Sequence, residues 1–298
     1  MRFGIMTMQK DSLIPAAMPA EGIQAYLYAF DHAELAGKLA SLGFDPIELG
    51  GDMVLFFPNA FSPQTIERLA ALKAEKGISC TVHLPLWSTE PSTPLQPVRQ
   101  GSVQAVIEVL KATWPLEPEV YVFHATGALA AEFYNMDLPA PARALLMRLF
   151  QQQAGRSIAE ILGATGIPSR RLAIETIEFP LDLTLELAAQ FDLSICLDTG
   201  HILAGFSGPL GFFEALEQCL PRLATIHLHD CPAWKGGPRL YGQDHAPLGT
   251  GDLDVAGLLD RLAAANYAGP LVFELRIEEA LASLERVRAL RPGVIQKI

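Results

Sequence analysis

The chain has 298 residues, half of them hydrophobic and 18% charged, and its 33 acidic against 22 basic residues give a formal net charge of −11. This composition excludes intrinsic disorder and suits a sheet buried on both faces, and the lack of any Lys/Arg-rich run excludes duplex nucleic acid as an expected partner. No apolar stretch reaches the roughly 18 residues of a membrane span, and Met1-Arg2 runs straight into a strand-like segment, so a cytoplasmic protein with no membrane partner is expected.

Strand and helix signals then alternate along the chain. Arg2–Met6 reads as a first strand, and Asp31–Leu42 has helical spacing that ends at Gly43. Pro46–Leu49 is a second strand. Ser62 caps a helix that Pro63 opens and Gly77 closes, and Ser79–Leu84 is the third strand. Helix Gly101–Thr113 leads to strand Val120–Phe123, and a long helical region from Pro141 to Ala164 leads to strand Leu172–Ile174. Helix Leu181–Gln190 precedes strand Leu193–Leu197, Phe212–Cys219 precedes Ala224–Leu228, and Val255–Ala265 precedes Pro270–Phe273; Glu279–Leu290 is a last helix. Strands that alternate with helices imply a parallel sheet, and eight such units with no segment left over predict one domain over residues 1–298, a single (β/α)8 barrel, with an open doubly wound sheet as the alternative.

The polar residues favour closure. Glu48 follows the second strand, His83 lies in the third, and His124, Glu175, Asp198 and Glu274 follow the fourth, fifth, sixth and eighth; His227 and His229 fall in the seventh. A closed barrel brings such strand ends together, whereas an open sheet strings them along a line. The long segments Gln9–Tyr28, Gly51–Ser62, Trp87–Pro97 and Cys231–Gln243 follow strands and are expected as loops that shape a wide, partly apolar pocket, with Phe56, Phe57 and Phe61 among their aromatics.

Of the seven histidines, His32 reads as a hydrogen-bonded structural residue at a helix start. The other six, His83, His124, His201, His227, His229 and His245, all fall on the expected active face, where so many buried rings need the compensation that metal binding supplies. In the run His227-Leu228-His229-Asp230 we expect His227 to be the ligand and His229 to stand behind it, within reach of substrate along with Trp87, Trp234 and Tyr241. The four cysteines show no paired spacing; only Cys231, beside Asp230, is expected to be more than structural.

These motifs resemble the xylose isomerase-like barrel superfamily, and within it the endonuclease IV (apurinic/apyrimidinic endonuclease family 2) branch. Phe123-His124-Ala125-Thr126-Gly127 is similar to its FHPG strand end, Leu197-Asp198-Thr199-Gly200-His201 to IDTCH, His227-Leu228-His229-Asp230 to HLND, and the loop Gln243–Gly251 to DRHxxxGxG. The resemblance implies metal ligands at His83, His124, Glu175, Asp198, His201, His227, His245 and Glu274, and two or three divalent ions of zinc, manganese or iron. The family's loop aspartate is replaced by Gln243, so that Asp244 substitutes for it or the third ion is weakened. One ion held by Glu175, Asp198, His227 and Glu274 would suffice for a sugar or sugar-phosphate isomerase or epimerase, and His83, His124 and His245 are then surplus. The surplus points to a metal-dependent phosphodiester hydrolase, with Glu175 as bridging ligand and water-orienting base and with Glu274 and Asp244 as the other catalytic carboxylates. The acidic balance and apolar loops favour a bulky small molecule over DNA, and the cobamide-remodelling phosphodiesterases related to this branch make the nucleotide loop of a corrinoid the substrate to consider.

Overall fold

A computed structural model describes residues 1–8, 22–237 and 239–294. Eight parallel strands, each hydrogen-bonded to the next in sequence order, close into a barrel. They are β1 (Arg2–Met6), β2 (Ile47–Gly50), β3 (Cys80–His83), β4 (Tyr121–Phe123), β5 (Leu172–Glu175), β6 (Ser194–Asp198), β7 (Leu223–His227) and β8 (Pro270–Phe273). Closure is made where β1 runs beside β8 in the register Phe3↔Leu271 and Ile5↔Phe273. Apolar rings seal that seam: Phe273 stacks on Phe3 with centroids 6.2 Å apart and meets Phe44 edge-on at 6.3 Å. The expected single (β/α)8 barrel is therefore the observed fold.

Local chemistry accounts for several helix ends. Asp31 accepts from the amides of Ala33 and Glu34 at the start of the helix His32–Ser41, and Gly43 beyond it takes φ 93°. Ser62 accepts from the amide of Thr65, Pro63 occupies the first turn, and Gly77 ends Pro63–Lys76 in the left-handed region.

Departures from expectation have local causes too. The helix expected from Gly101 begins at Gln96, because Pro97 opens a first turn instead of ending a loop, and the last helix begins at Ile277. Of the segment Gln9–Tyr28, residues 9–21 lie outside the described residues, and 22–28 belong to a helix, Gly22–Ala29, instead of a loop. Its sequence GIQAYLYA buries none of its residues and so offers no periodic face to read. Short helices Ala128–Asn135 and Thr199–Leu203 likewise occupy stretches after β4 and β6. No helix among the described residues is long and apolar enough to cross a membrane.

Candidate metal centre

Strand register sets the polar residues side by side at the C-terminal mouth of the barrel: Asp198 of β6 pairs with His227 of β7, and His83 of β3 pairs with Val122, two residues before His124. Glu175 lies at the centre and is only 1% exposed. Its Oε2 is 3.1 Å from His83 Nε2 and 3.0 Å from His124 Nε2. Its Oε1 is 3.2 Å from His227 Nδ1 and 3.6 Å from His201 Nδ1. One carboxylate thus faces two separate sets of imidazoles, one with each oxygen.

The second set continues with Glu274, whose Oε2 is 3.5 Å from His227 Nδ1, and with Asp198, whose Oδ2 is 3.8 Å from the same nitrogen. A third set stands at the rim: His201 Nε2 lies 3.7 Å and His245 Nδ1 2.7 Å from Asp244 Oδ2, while His245 Nε2 lies 3.1 Å from Glu274 Oε2. Asp244 thus stands between the two rim imidazoles, and its neighbour Gln243 brings no carboxylate there.

Backbone carbonyls fix the ring orientations. His83 donates from Nδ1 to the Leu84 carbonyl at 2.9 Å, and His201 donates from Nδ1 to the Thr176 carbonyl at 3.0 Å. Each ring thereby turns its Nε2 into the site, the nitrogen that a metal-binding histidine would use once its proton is displaced.

Charge holds the cluster together. Burial works against the charge of Glu175, but His227 and His124 keep its carboxyl well below the usual range. Burial likewise pulls His83 down, and Glu175 reverses this to raise the imidazole to about 9. For His245 burial is outweighed by Asp244 and Glu274, which bring it to about 11, and burial of Asp244 is outweighed by His245, which lowers it to about 2. These imidazoles supply positive charge to buried carboxylates, a demand that a divalent cation meets more fully.

The donor sets fit such ions. In each of the groups His83-His124-Glu175, His83-His227-Glu274 and His201-Asp244-His245, the candidate ligand atoms lie within 4.8 Å of one another. Nitrogen and carboxylate donors suit zinc, manganese or iron. His227 Nε2, His229 Nδ1 and Glu48 Oε1 are buried without a hydrogen bond of good geometry, which marks a polar interior not closed by protein contacts alone.

A cavity of about 800 Å³ opens above the centre, and His83, His124, Glu175, His201, His245 and Glu274 form its floor. Trp87 and Tyr241 stand in its wall, both about half exposed. Two expected contacts lie elsewhere. Trp234 packs over Gly205, where a Cβ would come within 2.6 Å of the indole, and its Nε1 donates to the Gly237 carbonyl. His229 is fully buried, and its Nε2 donates to Asp198 at 2.8 Å, so it packs behind that carboxylate and does not line the cavity. Strand β7 ends at His227, so the regular alternation that would place both rings on one face does not continue to His229. Cys231 is fully buried and burial raises its thiol to about 12, which makes it a core residue despite its position beside Asp230. His32 has the structural role expected of it.

Two residues with no role assigned from sequence also shape the site. Glu48 of β2 lies beneath His227, and a carboxylate inside an apolar strand is the signal that points to it. Asp230 organises the loop that carries Asp244 and His245.

A profile of the family described as xylose isomerase-like TIM barrel matches residues 36–292. Among solved structures, a D-tagatose 3-epimerase-like protein is 19% identical with a TM-score of 0.69, each chain covered to 97%. D-psicose 3-epimerase from Clostridium cellulolyticum, solved with D-tagatose, is 17% identical with a TM-score of 0.69, over 97% of this chain and 99% of that one. Endonuclease IV from Thermus thermophilus is 21% identical with a TM-score of 0.63, over 97% and 98% respectively. These likenesses establish the fold. No curated protein matches the chain at a significant level.

Proposed function

Since the chain belongs to the xylose isomerase-like TIM barrel family, whose members are enzymes that typically use divalent metals, we propose that it is a metal-dependent phosphodiester hydrolase acting on a bulky small molecule. The observation that carries this reading is Glu175, whose two carboxylate oxygens face different imidazole sets, His83 with His124 on one side and His227 on the other. A single ion held by Glu175, Asp198, His227 and Glu274 leaves His83, His124, His201, Asp244 and His245 without a purpose. Two or three ions employ all of them.

His83, His124 and Glu175 would hold one ion, Glu175 with Asp198, His227 and Glu274 a second, and His201 with Asp244 and His245 a third. When bound, such ions supply Lewis-acid polarisation of a phosphoryl group and acidify water. The protein's part is orientation. Glu175 and Glu274 present carboxylates to the cavity floor, where they accept a proton from an attacking water or return one to a leaving alkoxide. His229 and the Thr176 carbonyl keep Asp198 and His201 from rotating. Trp87 and Tyr241 offer aromatic faces to a flat apolar body, with Phe56 meeting Trp87 at 6.0 Å to extend that wall. A volume of about 800 Å³ accepts the nucleotide end of a large ligand while the remainder rests on the rim. The nucleotide loop of a cobamide is the substrate to test first; we propose neither duplex nucleic acid nor a membrane as a partner, and a cytoplasmic location.

A ketose or sugar-phosphate epimerase is the second reading, favoured by the epimerase folds that match the whole chain and by the facing carboxylates Glu175 and Glu274. Elemental analysis of the purified protein separates the two: two or three ions per chain are expected for the hydrolase, one for the epimerase. Incubation with adenosylcobalamin is expected to release the lower nucleoside. Failure of that release, together with epimerisation of a ketose, would reverse the order.

A further inference from the structure

The interior layers of a (β/α)8 barrel are normally filled by branched apolar side chains. Strand β2 breaks that pattern with Glu48, a fully buried carboxylate below the cavity floor and outside the three ligand sets. Burying a carboxylate costs several kcal/mol unless its oxygens are matched. One oxygen is matched: Thr81, beside it on β3, donates from Oγ1 to Glu48 Oε2 at 2.8 Å. The other, Oε1, lies 3.1 Å from His227 Nε2, and both of these atoms are buried without a hydrogen bond of good geometry.

We infer that Glu48 is a positioning residue for His227, keeping the ring proton on Nε2 so that Nδ1 presents its lone pair to an ion shared with Glu175, Asp198 and Glu274. This rests on the reading that ions occupy the centre. His227 Nδ1 has Glu175 at 3.2 Å, Glu274 at 3.5 Å and Asp198 at 3.8 Å, a half-ring of oxygens with the nitrogen as its fourth member. A neutral imidazole carries one proton, and whichever nitrogen faces an uncoordinated carboxylate keeps it. Only Glu48 offers such a carboxylate on the Nε2 side among the described residues. Thr81 completes the relay by holding Glu48 from behind.

The test is Zn²⁺ affinity of the full chain, by competition with a chromogenic chelator, for the parent, Glu48→Gln, Thr81→Val and Thr81→Ser. Glu48→Gln keeps size and removes the charge. It is expected to weaken one ion by about 10- to 100-fold while the remaining ions bind as in the parent. Thr81→Val should weaken the same ion, and Thr81→Ser, which restores the hydroxyl, should recover it. Unchanged Zn²⁺ affinity with a lowered melting temperature would mean a merely structural Glu48 and overturn the inference while the multi-ion reading stands. A parent that binds no Zn²⁺ would remove both. Should Glu48→Gln fail to fold, the Thr81→Val and Thr81→Ser pair decides.

Discussion

His32 shows how one residue couples the fold to pH. It is fully buried, its Nδ1 lies 3.3 Å from the Ala60 carbonyl, and its Nε2 lies 3.0 Å from Thr7 Oγ1, which itself accepts from the Gly50 amide. Those partners call for a neutral ring that donates from Nδ1 and accepts at Nε2, and burial lowers its pKa to about 4. The unfolded chain, with histidine near 6.5, binds the proton first. Stability from this group is therefore complete above pH 6.5 and is lost as pH falls towards 4, by about 3 kcal/mol in all. Between pH 7 and pH 5, urea unfolding of the chelated parent should lose about 2 kcal/mol more than that of His32→Gln, whose side chain does not titrate. Equal losses would show that another group carries the acid response.

At the scale of one element, the loop from Cys231 to Asp254 is held by Asp230. Its Oδ1 accepts from the amides of Cys231 and Leu253, both at 2.9 Å, its Oδ2 accepts from Gly249 at 2.8 Å, and its backbone pairs with Ala246 in an antiparallel bridge. The loop then crosses the first turn of the helix Thr199–Leu203, where the Asp244 carbonyl comes so near Gly200 that a Cβ there would sit 1.9 Å from it. Gly200 stands where the related motif has cysteine. That close approach is what brings Asp244 beside His201 and His245, in place of a carboxylate at residue 243. Gly200→Ala should push the loop outward and leave one ion fewer per chain by elemental analysis, with the secondary structure by circular dichroism unchanged. Full metal content in that variant would contradict this account of the third ligand set.

For the whole molecule, the apolar barrel core and the metal centre contribute to stability separately. The core includes fully buried rings such as Phe44, Phe123, Phe206 and Phe273, so the chelated protein should remain folded. An ion that binds only the folded chain adds about 4 kcal/mol per site when free at a thousandfold its Kd. At roughly 2 to 4 °C per kcal/mol for a large domain, chelation should lower the melting temperature by on the order of 10 °C for each ion removed, and added Zn²⁺ or Mn²⁺ should restore it. A melting temperature indifferent to chelation would argue that the carboxylate and imidazole cluster is closed by its own ion pairs.

The sequence by itself determined the eight strand and helix alternations and the caps at Asp31, Ser62 and Gly77, because periodicity and capping are written in neighbouring residues. It also placed His83, His124, Glu175, Asp198, His201, His227, His245 and Glu274 at one end of the barrel, since strand order alone decides which ends share a face. Only the tertiary structure decided what each does there. That Glu175 divides its two oxygens between two imidazole sets, that Asp244 reaches the rim because Gly200 has no side chain, that Trp234 leaves the cavity for Gly205, and that Glu48 stands under His227 all depend on distances between residues remote in the chain. Such distances follow from barrel closure and loop packing, and no local pattern encodes them.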